Sequence, residues 1–176
     1  MILSIFRRKR PPIAERTHAA IVAAARHPVF HAVHGVPDTI EGRFEMVVLH
    51  TFLYMDRTRA SADPTMKDLT QEVVDFGFFE FDRAMRDLGV SDTRVPKKMK
   101  ALAAHFYGRV TSYDPVLVAG DEAGLAAAIG RVVFADEAAP GARALARHAL
   151  ATRAHLATVS DSSLLAGDVT FPEPTA

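Results

Sequence analysis

Apolar positions recur along most of the chain at intervals of three and four residues, the spacing that places them on one face of an α-helix. Between Pro12 and Pro28, Ile13, Thr17, Ala20, Ile21 and Ala24 share a face, which predicts a helix over Ile13–His27 stopped by Pro28. The segment from Pro28 to Pro37, rich in histidine, reads as a loop. Asp38 stands three residues before Glu41, the spacing of a capping box, and predicts a second helix running to Arg59. Ile40, Phe44, Val47, Val48 and Met55 line one side of it, and Met46, Leu49, Phe52 and Leu53 fill much of the rest. A helix apolar nearly all round belongs at the centre of a fold.

Asp63 followed by Pro64 opens a third helix that closes at Gly89. Leu69, Val73 and Phe76 form one stripe on it, and Val74, Phe78, Phe81, Met85 and Leu88 a second. Gly77 sits within this helix at a cost of about 1 kcal/mol relative to alanine, which suits a close helix crossing or a bend. Val95, Met99, Leu102, Phe106, Val110 and Tyr113 predict a fourth helix from Pro96 that ends before Pro115. Asp121 caps a fifth through Ala135, with Leu125, Ile129 and Val133 inward. Pro140 opens a sixth through Thr158, with Leu145, Ala149 and Leu156 inward. The pattern therefore predicts an all-α, compact single-domain bundle of about five to seven helices. Residues 1–12 form a basic N-terminal tail, 13–160 the helical domain, and 161–176 a C-terminal tail that either packs on the bundle or hangs free.

Composition narrows the chemistry. The 176 residues are 49% apolar, enough for a globular core without staples. With no cysteine, disulfides, thiolate metal sites and cysteine nucleophiles drop out together, which fits a reducing compartment. The formal net charge is zero, which argues against bulk nucleic-acid binding and against DNA as a partner. The charge is uneven, however. Ile5-Phe6 precede Arg7-Arg8-Lys9-Arg10, a basic start suited to an anionic membrane surface. In a secretory signal the charge comes before the apolar run; here the order is reversed and the run is short. The expectation is a cytoplasmic protein, peripheral on the inner membrane.

No assembled catalytic constellation is visible: there is no G-x-G-x-x-G after a strand, no Walker loop and no G-x-S-x-G elbow. The histidines offer two readings. His27, His31 and His34 cluster in one predicted loop, and Glu15-x-x-His18 has the spacing of di-iron carboxylate bundles, so a helical metal-binding protein or enzyme using His27, His31 and His34 is one alternative. A second Glu-x-x-His is missing, and surface or capping histidines are the simpler reading, with no metal and no cofactor. His50 reads as a core histidine satisfied by one hydrogen bond, and His148 and His155 as solvated. Arg94, Lys97, Lys98, Lys100 and Arg109 gather on the fourth helix with Phe106 and Tyr107 beside them. They are either a solvated helix face or a basic patch for an acidic partner, a membrane surface or RNA, which makes an RNA- or ribosome-binding helical domain the other alternative.

Several segments carry a family resemblance: Arg43-Phe44-Glu45-Met46-Val47-Val48-Leu49-His50, Phe81-Asp82-Arg83-Ala84-Met85-Arg86-Asp87-Leu88-Gly89, Lys97-Lys98-Met99-Lys100, Phe106-Tyr107-Gly108-Arg109, Tyr113-Asp114, the Leu125–Phe134 helix and Phe171-Pro172. In their order and spacing the chain resembles the ubiquinol–cytochrome c chaperone family, assembly factors of the respiratory bc1 complex. The resemblance implies an all-α fold, no enzymatic activity, and, as in the mitochondrial members, binding of newly made cytochrome b near the ribosome exit tunnel. The chain looks like the bacterial branch, because it lacks a long targeted N-terminal extension. On this resemblance the expected partner surface comprises Arg43, Asp82, Arg83, Lys97, Lys98, Lys100, Tyr107, Arg109 and Asp114, with Ile5, Phe6, Arg7, Arg8, Lys9 and Arg10 facing the membrane. Phe76, Phe78, Phe79 and Phe81 cannot all point inward from one helix, so an exposed apolar patch is expected too.

Overall fold

The computed structural model describes residues 12–175. Every helix in it begins or ends where local chemistry demands. α1 (Pro12–Ala25) stops short of Pro28. α2 (Pro28–Ala32) is a short helix in the segment expected to be loop, with proline in its first turn and the His27 ring accepting the Val29 N–H at its start. α3 (Ile40–Arg59) is capped by Thr39, whose hydroxyl accepts the Gly42 N–H at 3.1 Å. Asp38, the expected cap, instead takes the Arg43 guanidinium at 2.6 Å, so the capping duty passes one residue on.

α4 (Pro64–Asp87) starts as expected, with Asp63 accepting from the Thr65 N–H. It closes at Gly89, whose φ of +80° lets Val90 N–H reach back to the Met85 carbonyl. α5 (Val95–Val118) runs past Pro115. That proline is exposed, so the Thr111 carbonyl it frees meets water, while Tyr113 and Leu117 on the opposite face are buried and hold the helix together. α6 (Glu122–Ile129) is capped by Asp121 and passes into a single π-helical turn over Gly130–Phe134, which ends on Ala135 in the left-handed region. α7 (Pro140–Leu156) and the short α8 (Asp161–Leu165) complete the bundle. The described residues contain no strand, and no helix among them is long and apolar enough to cross a membrane.

α3 is the axis of the fold. Every residue from Glu45 to Tyr54 is buried, as expected for a helix apolar nearly all round. α1 packs on one side of it together with α4, α7 on the other, and α6 ties α7 to α5. Ile40, predicted to face the core, is 70% exposed, because the core begins only one turn further in. Gly77 does permit a close crossing: a Cβ there would lie 3.2 Å from Nε2 of His18 on α1. The tail alternatives are resolved in favour of packing. Leu164 and Val169 are buried, Phe171 packs on the core, and Thr175 O lies 2.9 Å from the His34 ring. Arg57 anchors this last segment, donating to Val159 O and to the Asp161 carboxylate, both at 2.6 Å.

Candidate functional site

α4 and α5 form a helical hairpin joined by residues 88–94, and they leave an apolar space open above α3. Near the middle of the hairpin the walls are zipped by aromatic edges. Phe78 meets Phe106 with ring centroids 5.6 Å apart, and Phe81 meets Phe44 of α3 at 5.2 Å. Toward the start of α4 the walls diverge into a groove of about 650 Å³. Phe52 and Met55 of α3 form its floor, Met66 and Val74 one wall, and Tyr107 and Val110 the other. Asp56, Arg59, Lys67 and Gln71 ring it with polar groups. Val74 links this groove to a narrower apolar crevice bounded by Val47, Val48, Phe78 and Phe106. An apolar floor with a polar rim suits a stretch of apolar polypeptide better than a small polar substrate.

The expected partner residues within the described chain separate into five groups. Tyr107 is 51% exposed and stands on the groove wall, where a partner could reach it. Arg109 points inward: its guanidinium takes both oxygens of Glu45, at 3.0 and 3.1 Å, a paired fork between α5 and α3. That hydrogen bond holds the Arg109 proton more tightly than usual. Asp114 likewise pairs across helices, with Arg59 at 2.7 Å. Arg43 lies apart from the rest, bound to Asp38 at 2.6 Å, outside both the groove and the hairpin. Asp82 and Arg83 sit on the late turns of α4. Asp82 binds Arg86 at 2.7 Å, while Arg83 is close to Glu80 and, more loosely, to Asp87 at 3.9 Å. Lys97, Lys98 and Lys100 are exposed on the first turns of α5. Ile5, Phe6, Arg7, Arg8, Lys9 and Arg10 lie outside the described residues. Within the groove, Phe52, Met55, Val74 and Val110 were indistinguishable from core residues by periodicity. The surplus phenylalanines of α4 do not line the groove. Phe78 and Phe81 turn toward α3 and α5, while Phe76 turns to the other side, against the His18 ring at 5.3 Å.

The histidines are dispersed among separate partners. His27 contacts Glu173 at 2.9 Å, His31 the Val36 carbonyl at 3.0 Å, and His34 the Thr175 carbonyl at 2.9 Å. Among the described residues no group of three or more His, Asp or Glu side chains is arranged to hold a metal ion. His18 is buried against α4, which lowers its pKa. His148, expected in solvent, is buried instead, because it shares the inward face of α7 with Leu145 and Thr152. Its Nε2 lies 3.3 Å from Nε2 of His50, which is fully buried. His50 Nδ1 lies 2.8 Å from the Met46 carbonyl, an acceptor only, so Nδ1 carries the proton and Nε2 is bare. His50 Nε2 is thus an acceptor facing His148 Nε2, which also lies 3.3 Å from the Thr152 hydroxyl. Burial pushes the His50 pKa down to about 4 and that of His148 to about 3. Both rings are neutral and serve packing between α3 and α7.

Residues 32–171 match the sequence model of the family described as ubiquinol-cytochrome C chaperone. Two curated relatives carry the name ubiquinol-cytochrome c reductase complex assembly factor 1. The protein from Mus musculus is 28% identical over 99 residues, covering 56% of this chain and 33% of its own length. The Homo sapiens protein is 28% identical over 99 residues, covering 56% of this chain and 32% of its own. The aligned part thus spans about a third of the curated relatives. Among solved structures, the crystal structure of the Cbp3 homolog from Brucella abortus superposes with a TM-score of 0.84 at 43% identity, over 98% of this chain and 97% of that one.

Proposed function

The chain belongs to the ubiquinol–cytochrome c chaperone family, and we propose that it is a non-enzymatic assembly factor of the bc1 complex that holds newly made cytochrome b in the groove between α4 and α5. The groove itself is the observation that carries this reading. Cytochrome b is an apolar membrane protein before it is built into its complex, and a client of that kind needs apolar surface that is open yet bounded. Met55, Val110 and Tyr107 supply the apolar surface over a buried Phe52 and Val74, and the ion pairs Arg109–Glu45 and Arg59–Asp114 lock α5 to α3 so that the walls keep their spacing. Two interhelical pairs of this sort are better suited to holding a shape than to binding a partner, which reassigns Arg109 and Asp114 from contact to support. Tyr107 remains the predicted residue best placed to touch the client, since tyrosine offers a large rigid face and a polar edge.

Affinity purification of the chain from cells making the bc1 complex, after crosslinking, tests this. Cytochrome b is expected in the eluate. Recovery of no bc1 component under conditions where the chain itself is intact would refute the reading. The cytoplasmic site of action belongs to the same proposal.

A further inference from the structure

We propose that the tip of the α4–α5 hairpin is a docking surface for an anionic lipid bilayer. Three observations converge there. First, the tip stands clear of the core: from Asp82 to His105 the only buried residue is Val95. Second, it carries a surplus of positive charge: from Glu80 to His105 six lysines and arginines stand against four carboxylates. Those four carboxylates are all engaged by the two α4 arginines. Arg86 takes both Asp82 and Asp92, while Arg83 faces Glu80 and Asp87. Arg94, Lys97, Lys98 and Lys100 have no carboxylate within ion-pair distance among the described residues; helical spacing puts Lys97 and Lys100 on the face of α5 opposite Val95, Met99 and Leu102, with Lys98 on its flank and Arg94 at the N-cap. Third, an apolar side chain stands among these cations. Leu88 is 69% exposed, and Leu88, Gly89 and Val90 line one hollow together with Arg94 and Lys98.

Exposed leucine within a fringe of lysines is the pattern that meets an anionic membrane interface: the ammonium groups attract headgroup phosphates while the apolar side chain enters the acyl boundary. RNA fits less well, because single-stranded RNA needs aromatic faces among the cations. Tyr107, the nearest exposed aromatic on α5, is about 14 Å along the helix from Lys98 at 1.5 Å per residue. The tip is also about 21 Å along α4 from Val74, so a docked bilayer would leave the groove open. The inference therefore goes beyond the client-binding reading and stands or falls separately from it.

The test is co-sedimentation of the full chain with vesicles of phosphatidylcholine alone and of equimolar phosphatidylcholine and phosphatidylglycerol. The wild type is expected to bind only the second, and more weakly as salt is raised. K97A/K98A/K100A should reduce partitioning about 100-fold, at roughly fivefold per lysine, and L88D by about tenfold. R143A/R147A, which removes two exposed cations from α7, should bind as wild type does. These side chains are exposed, and circular dichroism of each variant confirms that it is folded. Unchanged partitioning of the lysine variant overturns the proposal, as does an equal loss in R143A/R147A. Binding to an RNA oligomer with none to either vesicle also overturns it.

Discussion

Lowering the pH from 7 to 5 should cost this fold several kcal/mol, and the His50–His148 pair is the reason. In the folded chain the two Nε2 atoms face each other across 3.3 Å. Charging both rings would place two N–H groups head to head inside a site lined by Phe30 and Phe171. The folded pKa values of about 4 and about 3 leave both rings neutral at pH 5. In the unfolded chain each histidine titrates near its ordinary value of about 6.5 and is almost fully charged at pH 5. The unfolded state therefore binds more protons, so stability is full above about pH 6.5 and falls as pH drops toward the folded values. At about 1.4 kcal/mol per pH unit, each ring loses ~2 kcal/mol between pH 7 and 5, or ~4 kcal/mol together. Burial also lowers the His18 pKa, which adds in the same direction. The assay is urea unfolding at pH 7, 6 and 5, followed by circular dichroism, on the wild type and on H50L/H148L. The wild type should lose ~4 kcal/mol or more across this range, and the double variant should lose that much less than the wild type does. A wild-type loss under about 1 kcal/mol, or an equal slope in both proteins, refutes the account of a buried neutral pair.

Other consequences follow from single contacts. A Cβ on Gly42 would collide with the Pro37 carbonyl, a backbone atom that cannot swing aside, so G42A should destabilise by about 2 kcal/mol or more in chemical denaturation. The Tyr54 hydroxyl is buried without a hydrogen-bond partner among the described residues, so Y54F should be neutral or stabilise by up to ~1 kcal/mol, and a clear loss of stability would show a missed partner. Removing the Glu45 carboxylate leaves the Arg109 fork unpaired between α5 and α3. E45A should therefore cost roughly 2–3 kcal/mol, and R109A combined with it should cost less than the sum of the two single changes.

The sequence foretold most where one residue decides a local outcome. Asp63, Asp121 and Pro140 open helices as their chemistry requires, and Gly89 ends one. It foretold least where the outcome depends on a distant helix. Asp38 lost its cap because Arg43 claims its carboxylate, leaving Thr39 to serve. Pro115 failed to end α5 because burial of Tyr113 and Leu117 outweighs one lost hydrogen bond. His148 sits on the inward face of α7, but only the position of α3 reveals that His50 awaits it. The site follows the same rule. Lys97, Lys98 and Lys100 are exposed as their pattern implied. Arg109 and Asp114 look equally exposed in sequence, yet Glu45 and Arg59 hold them. The groove had no sequence signature, because it is made by the divergence of two helices whose apolar faces read as ordinary core.

If the groove holds the client, a photoreactive residue on its rim should capture cytochrome b directly. Tyr107 and Gln71 are exposed on opposite walls and suit the substitution, with Arg147 on α7 as the remote control. Irradiation in cells making the bc1 complex should give a cytochrome b adduct from positions 107 and 71 and none from 147. An adduct from position 147 alone, or from none of the three while the tagged chain still co-purifies with cytochrome b, would place the client elsewhere on the molecule.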